Sequence, residues 1–97
     1  MEKYALLATL KAKPGKEDAL EKLLQSAEPL AKAEPGTIRW YAFKTGADNF
    51  GIFDTFADES ARDAHLSGEI AKALMANAEA LLAVPPRIDK LDIIASK

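Results

Sequence analysis

The two residues of this chain best suited to chemistry are its only histidine, His65, and the aspartate Asp54. An imidazole with an ordinary pKa near ~6.5 can take a proton from a phenol or an enol, so His65 is a candidate general base. Its other reading is a helix histidine bonded to a backbone carbonyl. Asp54 is expected to stand across a strand pair from Arg39 and to form a polar clamp inside an apolar pocket. As a purely structural feature the same pair would be a cross-strand ion pair holding register. Tyr41, Phe43, Phe50 and Phe56 fall on the same expected face, with Ile52 opposite Tyr41, and would wall a flat aromatic substrate, or simply fill a core. Six of the seven aromatic residues lie between positions 40 and 56, so this stretch marks both the core and the candidate pocket.

The elements that must position these groups can be read from periodicity. Tyr4 to Lys11 is apolar on both alternating sets, the pattern of a strand covered on both faces. Pro14-Gly15 turns the chain, and Leu20, Leu23, Leu24, Ala27, Leu30 and Ala31 then recur at helical spacing. Pro29 lacks the donor for the carbonyl of Gln25, so the helix must kink or restart there. Thr37–Lys44 and Asn49–Phe56 read as a hairpin around Gly46-Ala47, with glycine at the first position of a type II′ turn. Asp58 caps a helix to about Leu66, Ser67 caps a second helix, and Pro85-Pro86 ends that one. Arg87 to Ala95 is the last strand. The order β-α-β-β-α-α-β predicts a single α+β domain over residues 1–97, a ferredoxin-like sandwich with a four-stranded antiparallel sheet and helices on one face.

A two-residue loop puts Arg39 opposite Asp54, Tyr41 opposite Ile52 and Phe43 opposite Phe50 on the helix-covered face. Trp40 and Phe53 then fall on the other face, which no helix remains to cover. An uncovered face of that size exceeds the roughly few hundred square ångströms that a monomer usually exposes, and predicts a homodimer stacked sheet on sheet.

Composition removes many functions. The 97 residues carry 48% hydrophobic and 29% charged side chains with a formal net charge of −2, which leaves no electrostatic footprint for nucleic acid. Lys11, Lys13 and Lys16 read as a solvated loop. With no cysteine there is no disulfide and no thiolate nucleophile, and with one histidine no zinc site. No glycine-rich phosphate loop, dinucleotide fingerprint or serine elbow is present. No segment approaches the ~20 apolar residues of a membrane span, and the first ten residues carry too short an apolar run for a signal peptide. A cytoplasmic protein with no membrane partner, no metal and no cofactor is expected.

The run Phe50-Gly-Ile-Phe-Asp-Thr-Phe-Ala-Asp-Glu-Ser-Ala-Arg-Asp-Ala-His-Leu66 resembles the signature of antibiotic biosynthesis monooxygenase domains. In these a strand with an acidic residue and, two positions on, an aromatic one leads into a helix bearing a histidine. Glu34-Pro-Gly-Thr-Ile-Arg-Trp-Tyr41 is similar to the family's E-P-G turn and aromatic second strand. The resemblance covers nearly the whole chain and implies a dimeric α+β barrel. The family includes cofactor-independent oxygenases of quinols and polyketides, haem-degrading enzymes and small-molecule isomerases. By this resemblance Asp54 and His65 are the catalytic positions, Ile52 and Phe56 stand at family site positions, and the function is cofactor-independent oxygenation of a quinol or other small aromatic; the hairpin register adds Arg39 and Tyr41 as expected substrate contacts. The alternative is a non-catalytic or isomerase-type barrel that binds a small metabolite.

Overall fold

Four strands and four helices follow one another along the chain in the order β1 (Tyr4–Lys11), α1 (Glu17–Ser26), α2 (Glu28–Ala33), β2 (Thr37–Lys44), β3 (Asn49–Phe56), α3 (Glu59–Leu66), α4 (Glu69–Leu81) and β4 (Arg87–Asp92). The computed structural model describes residues 1–97. The strands form one antiparallel sheet in the order β2-β3-β1-β4, the topology of a ferredoxin-like α+β fold.

Local sequence explains most boundaries. α1 stops at Ser26, and α2 restarts with Pro29 in its first turn, where a missing N–H costs nothing. Asp58 caps α3 by accepting a 2.8 Å bond from the Ala61 amide. Three expectations need correction. Gly68, not Ser67, is the N-cap of α4, and the Ser67 hydroxyl turns back to the carbonyl of Ala64 at 3.2 Å. The last strand ends at Asp92 rather than Ala95. Gly46 has no positive φ, which rules out a type II′ turn.

The hairpin register is also overturned, and the cause is a bulge. Thr37 pairs with Phe56 as expected, but the register shifts at Ile38, and from there Arg39 pairs with Thr55, Trp40 with Asp54, Tyr41 with Phe53 and Phe43 with Gly51. A bulge inserts one unpaired residue, and because side chains alternate with a period of two, one residue moves every later side chain to the other face. At the far end the strands close with the Thr45 amide on the Asn49 carbonyl, leaving Gly46-Ala47-Asp48 as a three-residue loop. Arg39, Tyr41 and Phe43 therefore lie on the open face and Trp40 on the helix face, the reverse of the expectation.

The core lies between sheet and helices. Ala8 and Leu10 of β1 and Phe50 and Ile52 of β3 pack with Leu20 and Leu24 of α1, Leu74 of α4 and Leu82. Trp40 bridges this cluster to a second one formed by Ala27, Ala31 and Ile70. On the open face Tyr41 and Phe43 stay 52% and 38% exposed, beside half-buried Leu7, Phe53 and Leu91. The Phe43 ring lies across Gly51 so closely that a side chain there would collide with it. The sheet thus has one face covered by its own helices and one that is not.

Candidate functional site

Asp54 and His65 meet on the helix-covered side of the sheet. Asp54 is carried inward by the central strand β3, where its pairing with Leu6 and Trp40 fixes its face. His65 sits in the last turn of α3, whose start is set by the Asp58 cap. Nε2 of His65 stands 2.8 Å from Oδ2 of Asp54. Nδ1 stands 2.6 Å from Oε1 of Glu34, in the turn between α2 and β2. The imidazole is therefore clasped by a carboxylate at each nitrogen, and its ring tilts by 50° against Phe56, centroids 5.4 Å apart.

Burial sets the electrostatics. Asp54 is 1% exposed and His65 is 8% exposed. Although the Nε2–Oδ2 separation is short, its geometry is not that of a well-aligned hydrogen bond, and neither Asp54 oxygen has a hydrogen-bond donor. The contact is better described as a close ion pair that leaves Oδ1 free. Burial alone would pull the His65 pKa down, but its contact with Asp54, and then with Glu34, more than offsets this. The imidazole is held above its ordinary value and carries charge more readily than a free histidine.

Beside this pair lies a cavity of about 40 Å³. Leu6, Ala8, Ile52, Ile70, Leu74 and Ile88 are among its lining residues, and Asp54 and His65 supply its only polar groups. His65 also lines a groove of about 360 Å³ on its other side, between the 30–37 segment and α3, with Glu34 and Glu69. It stands between a small apolar cavity and a larger, more polar groove.

Of the six residues singled out from sequence, the structure brings together Asp54, His65 and Ile52, and sets Phe56 directly against the histidine. Arg39 and Tyr41 lie across the sheet. Arg39 pairs with Glu2 at 3.5 Å on the open face, so the expected clamp with Asp54 does not form. Glu34 is the site residue that spacing missed, because 31 positions separate it from His65. Its one sequence signal is the E-P-G turn.

The sequence profile described as antibiotic biosynthesis monooxygenase matches residues 3–77. Among solved structures, a protein of unknown function from Nitrosomonas europaea is 57% identical over 100% of this chain and 94% of its own, with a TM-score of 0.98. A protein from Pseudomonas aeruginosa is 27% identical over 98% of this chain and 97% of its own, with a TM-score of 0.84. A candidate antibiotic biosynthesis monooxygenase from Caulobacter crescentus, 24% identical over 97% and 92% of the two chains, has a TM-score of 0.83 and shares the fold. No curated protein matches. With three-quarters of its length matched, a ferredoxin-like sheet, and an acidic strand position meeting a helix histidine, this chain belongs to the antibiotic biosynthesis monooxygenase family.

Proposed function

We propose that the protein is a cofactor-independent monooxygenase of a quinol or other small electron-rich aromatic, working at the Asp54–His65 pair as a homodimer. One observation carries this reading: a buried carboxylate with a free oxygen, held against an imidazole, forms the sole polar end of an apolar cavity. A buried carboxylate–imidazole pair so placed, with the imidazole's pKa raised, is what an acid–base site requires.

Both nitrogens of His65 already face carboxylates, so the free oxygen of Asp54 takes the proton of a substrate hydroxyl or activated C–H. The charged imidazole then steadies the resulting anion in an apolar surrounding, where such attraction is strong. For a ring CH₂ in tautomeric balance with a phenol, the anion passes one electron to O₂, and the radical and superoxide join as a C–O bond. The Asp54 proton returns to give a hydroperoxide. Loss of the second C–H proton breaks the O–O bond and leaves C=O and water. The carbon gives up four electrons and O₂ accepts four, so no further reductant enters.

The test is oxygen uptake by metal-free protein across a panel of hydroquinones and anthrones. Turnover that falls by ~10²–10⁴-fold in Asp54→Asn is the expected result. The rate should also fall as pH rises through the raised pKa of His65, because the charged imidazole is lost; a base role for His65 itself would give the opposite slope. The size of the cavity supports a second, non-catalytic reading, in which a small metabolite binds outside it, in the groove of about 360 Å³ bordered by Glu34 and His65. At about 40 Å³ the cavity accepts water-sized molecules, against roughly 300–1,000 Å³ for typical ligand pockets. A panel compound that binds without oxygen uptake would identify a metabolite-binding barrel instead.

A further inference from the structure

We propose that Glu34 is the positioning residue of the Asp54–His65 pair, holding a proton on Nδ1 so that the imidazole stays charged against Asp54 and, where it does deprotonate, does so at Nε2 alone. The proposal rests on the acid–base reading above and extends it to a third side chain. An ionised carboxylate can only accept, so a Glu34 oxygen 2.6 Å from Nδ1 requires a hydrogen there. The same oxygen accepts the Thr37 hydroxyl at 2.7 Å, which locks the carboxylate from the strand side.

Several backbone features converge on this one carboxylate. The Thr37 amide bonds the Glu34 carbonyl at 3.3 Å, closing the turn. A Cβ at Gly36 would stand 2.9 Å from the Cβ of Ala61, so glycine there lets the turn lie directly on α3. A Cβ at Gly68 would stand 2.9 Å from Oε2 of Glu34, so glycine there makes room for the carboxylate itself. The side chain is 21% exposed, whereas Asp54 is 1% exposed. One partner of the imidazole therefore borders the groove of about 360 Å³ and the other the apolar cavity of about 40 Å³. A histidine oriented from behind by a carboxylate presents one nitrogen, in one tautomer, to the group it serves.

The charged groups around the ring are few. Asp54 reaches it from β3 and Glu34 from the turn before β2, while Glu69 of α4 borders the same groove. On α3 itself, Asp63 faces Lys90 at 3.9 Å and Arg62 bonds the Leu91 carbonyl.

The experiment is a ¹⁵N NMR titration of the His65 ring in substrate-free protein, comparing wild type with Glu34→Gln, Glu34→Ala and Gly36→Ala. Wild type should deprotonate at Nε2 and keep Nδ1–H. In Glu34→Gln, which retains an acceptor without charge, the midpoint should fall by about one pH unit, the lower end for loss of one neighbouring charge. Glu34→Ala should populate both neutral tautomers. Gly36→Ala changes no titrating group, yet by lifting the turn off α3 it should move the midpoint in the same direction. With an oxidisable substrate, Glu34→Gln should lower kcat by ~10–100-fold at similar KM. An unchanged midpoint and tautomer in Glu34→Gln and Gly36→Ala would overturn the proposal, whether or not Glu34→Ala folds. Absence of oxygen uptake in wild type would overturn the oxygenase reading, and the ring titration would still decide the role of Glu34.

Discussion

Nε2 of His65 lies 2.8 Å from Oδ2 of Asp54, inside a sheet–helix interface that leaves the aspartate only 1% exposed. Two charges that close attract strongly in a low-dielectric interior, but each also loses its hydration, so the pair's net worth depends on both members being present. Removing one leaves the other buried without compensation. His65→Ala should therefore destabilise the fold by about 3–5 kcal/mol. In a double-mutant cycle with Asp54→Ala by urea denaturation, the double variant should cost clearly less than the two single variants added together. Simple additivity would show that the two side chains do not interact.

The raised pKa of His65 makes a signed prediction for stability against pH. A group that binds its proton more tightly when folded stabilises the fold fully below its unfolded pKa, about 6.5, and loses that contribution as pH rises through the folded value. The stability difference between wild type and His65→Gln should thus be larger at pH 6 than at pH 9. Urea midpoints for both proteins at the two pH values measure it, and a difference that grows toward alkaline pH would reverse the assignment.

The strands, both helix pairs and the Pro29 break were legible because each rests on a local rule: alternation, helical spacing, a missing N–H. Asp54 and His65 were legible only through a family pattern, since nothing local says that a strand aspartate and a helix histidine will meet. The register was misread for an identifiable reason. A bulge at Ile38 is a property of the pairing between strands, and Ile38 is an ordinary β-branched strand residue with no glycine beside it to announce an irregularity. That single residue exchanged Arg39 and Tyr41 for Trp40 and Ala42 on the helix face. Glu34 was hidden by its separation in sequence, although Gly36, one of the two glycines that admit it, stands in the legible E-P-G turn.

With Arg39 on the open face, where it faces Glu2 and Tyr41, its removal should leave the Asp54–His65 pair untouched. Arg39→Ala is expected to leave the His65 titration midpoint where it is in wild type. A shifted midpoint would mean that the guanidinium reaches Asp54 after all and would restore the clamp expected from the unbulged register.

The open face carries the last prediction. Tyr41 and Phe43 remain 52% and 38% exposed beside half-buried Leu7, Phe53 and Leu91, with no helix of this chain on that side. Burying a large apolar side chain fully is worth about 1.5–3 kcal/mol, so a few such groups meeting their copies across a two-fold axis would offset the cost of association. Light scattering at micromolar concentration should give twice the chain mass. Tyr41→Glu combined with Phe53→Glu should give a folded monomer, because the helix-side core is on the other face and keeps its packing. Trp40→Phe should leave the mass at that of a dimer, because Trp40 packs inward against the clusters containing Leu24 and Ile70. Its cost should stay below about 1.5 kcal/mol, since the change also removes a buried indole N–H that has no partner. A monomeric wild type would remove the sheet-on-sheet dimer. Dissociation by Trp40→Phe with no effect of the Tyr41 and Phe53 changes would contradict the bulged register.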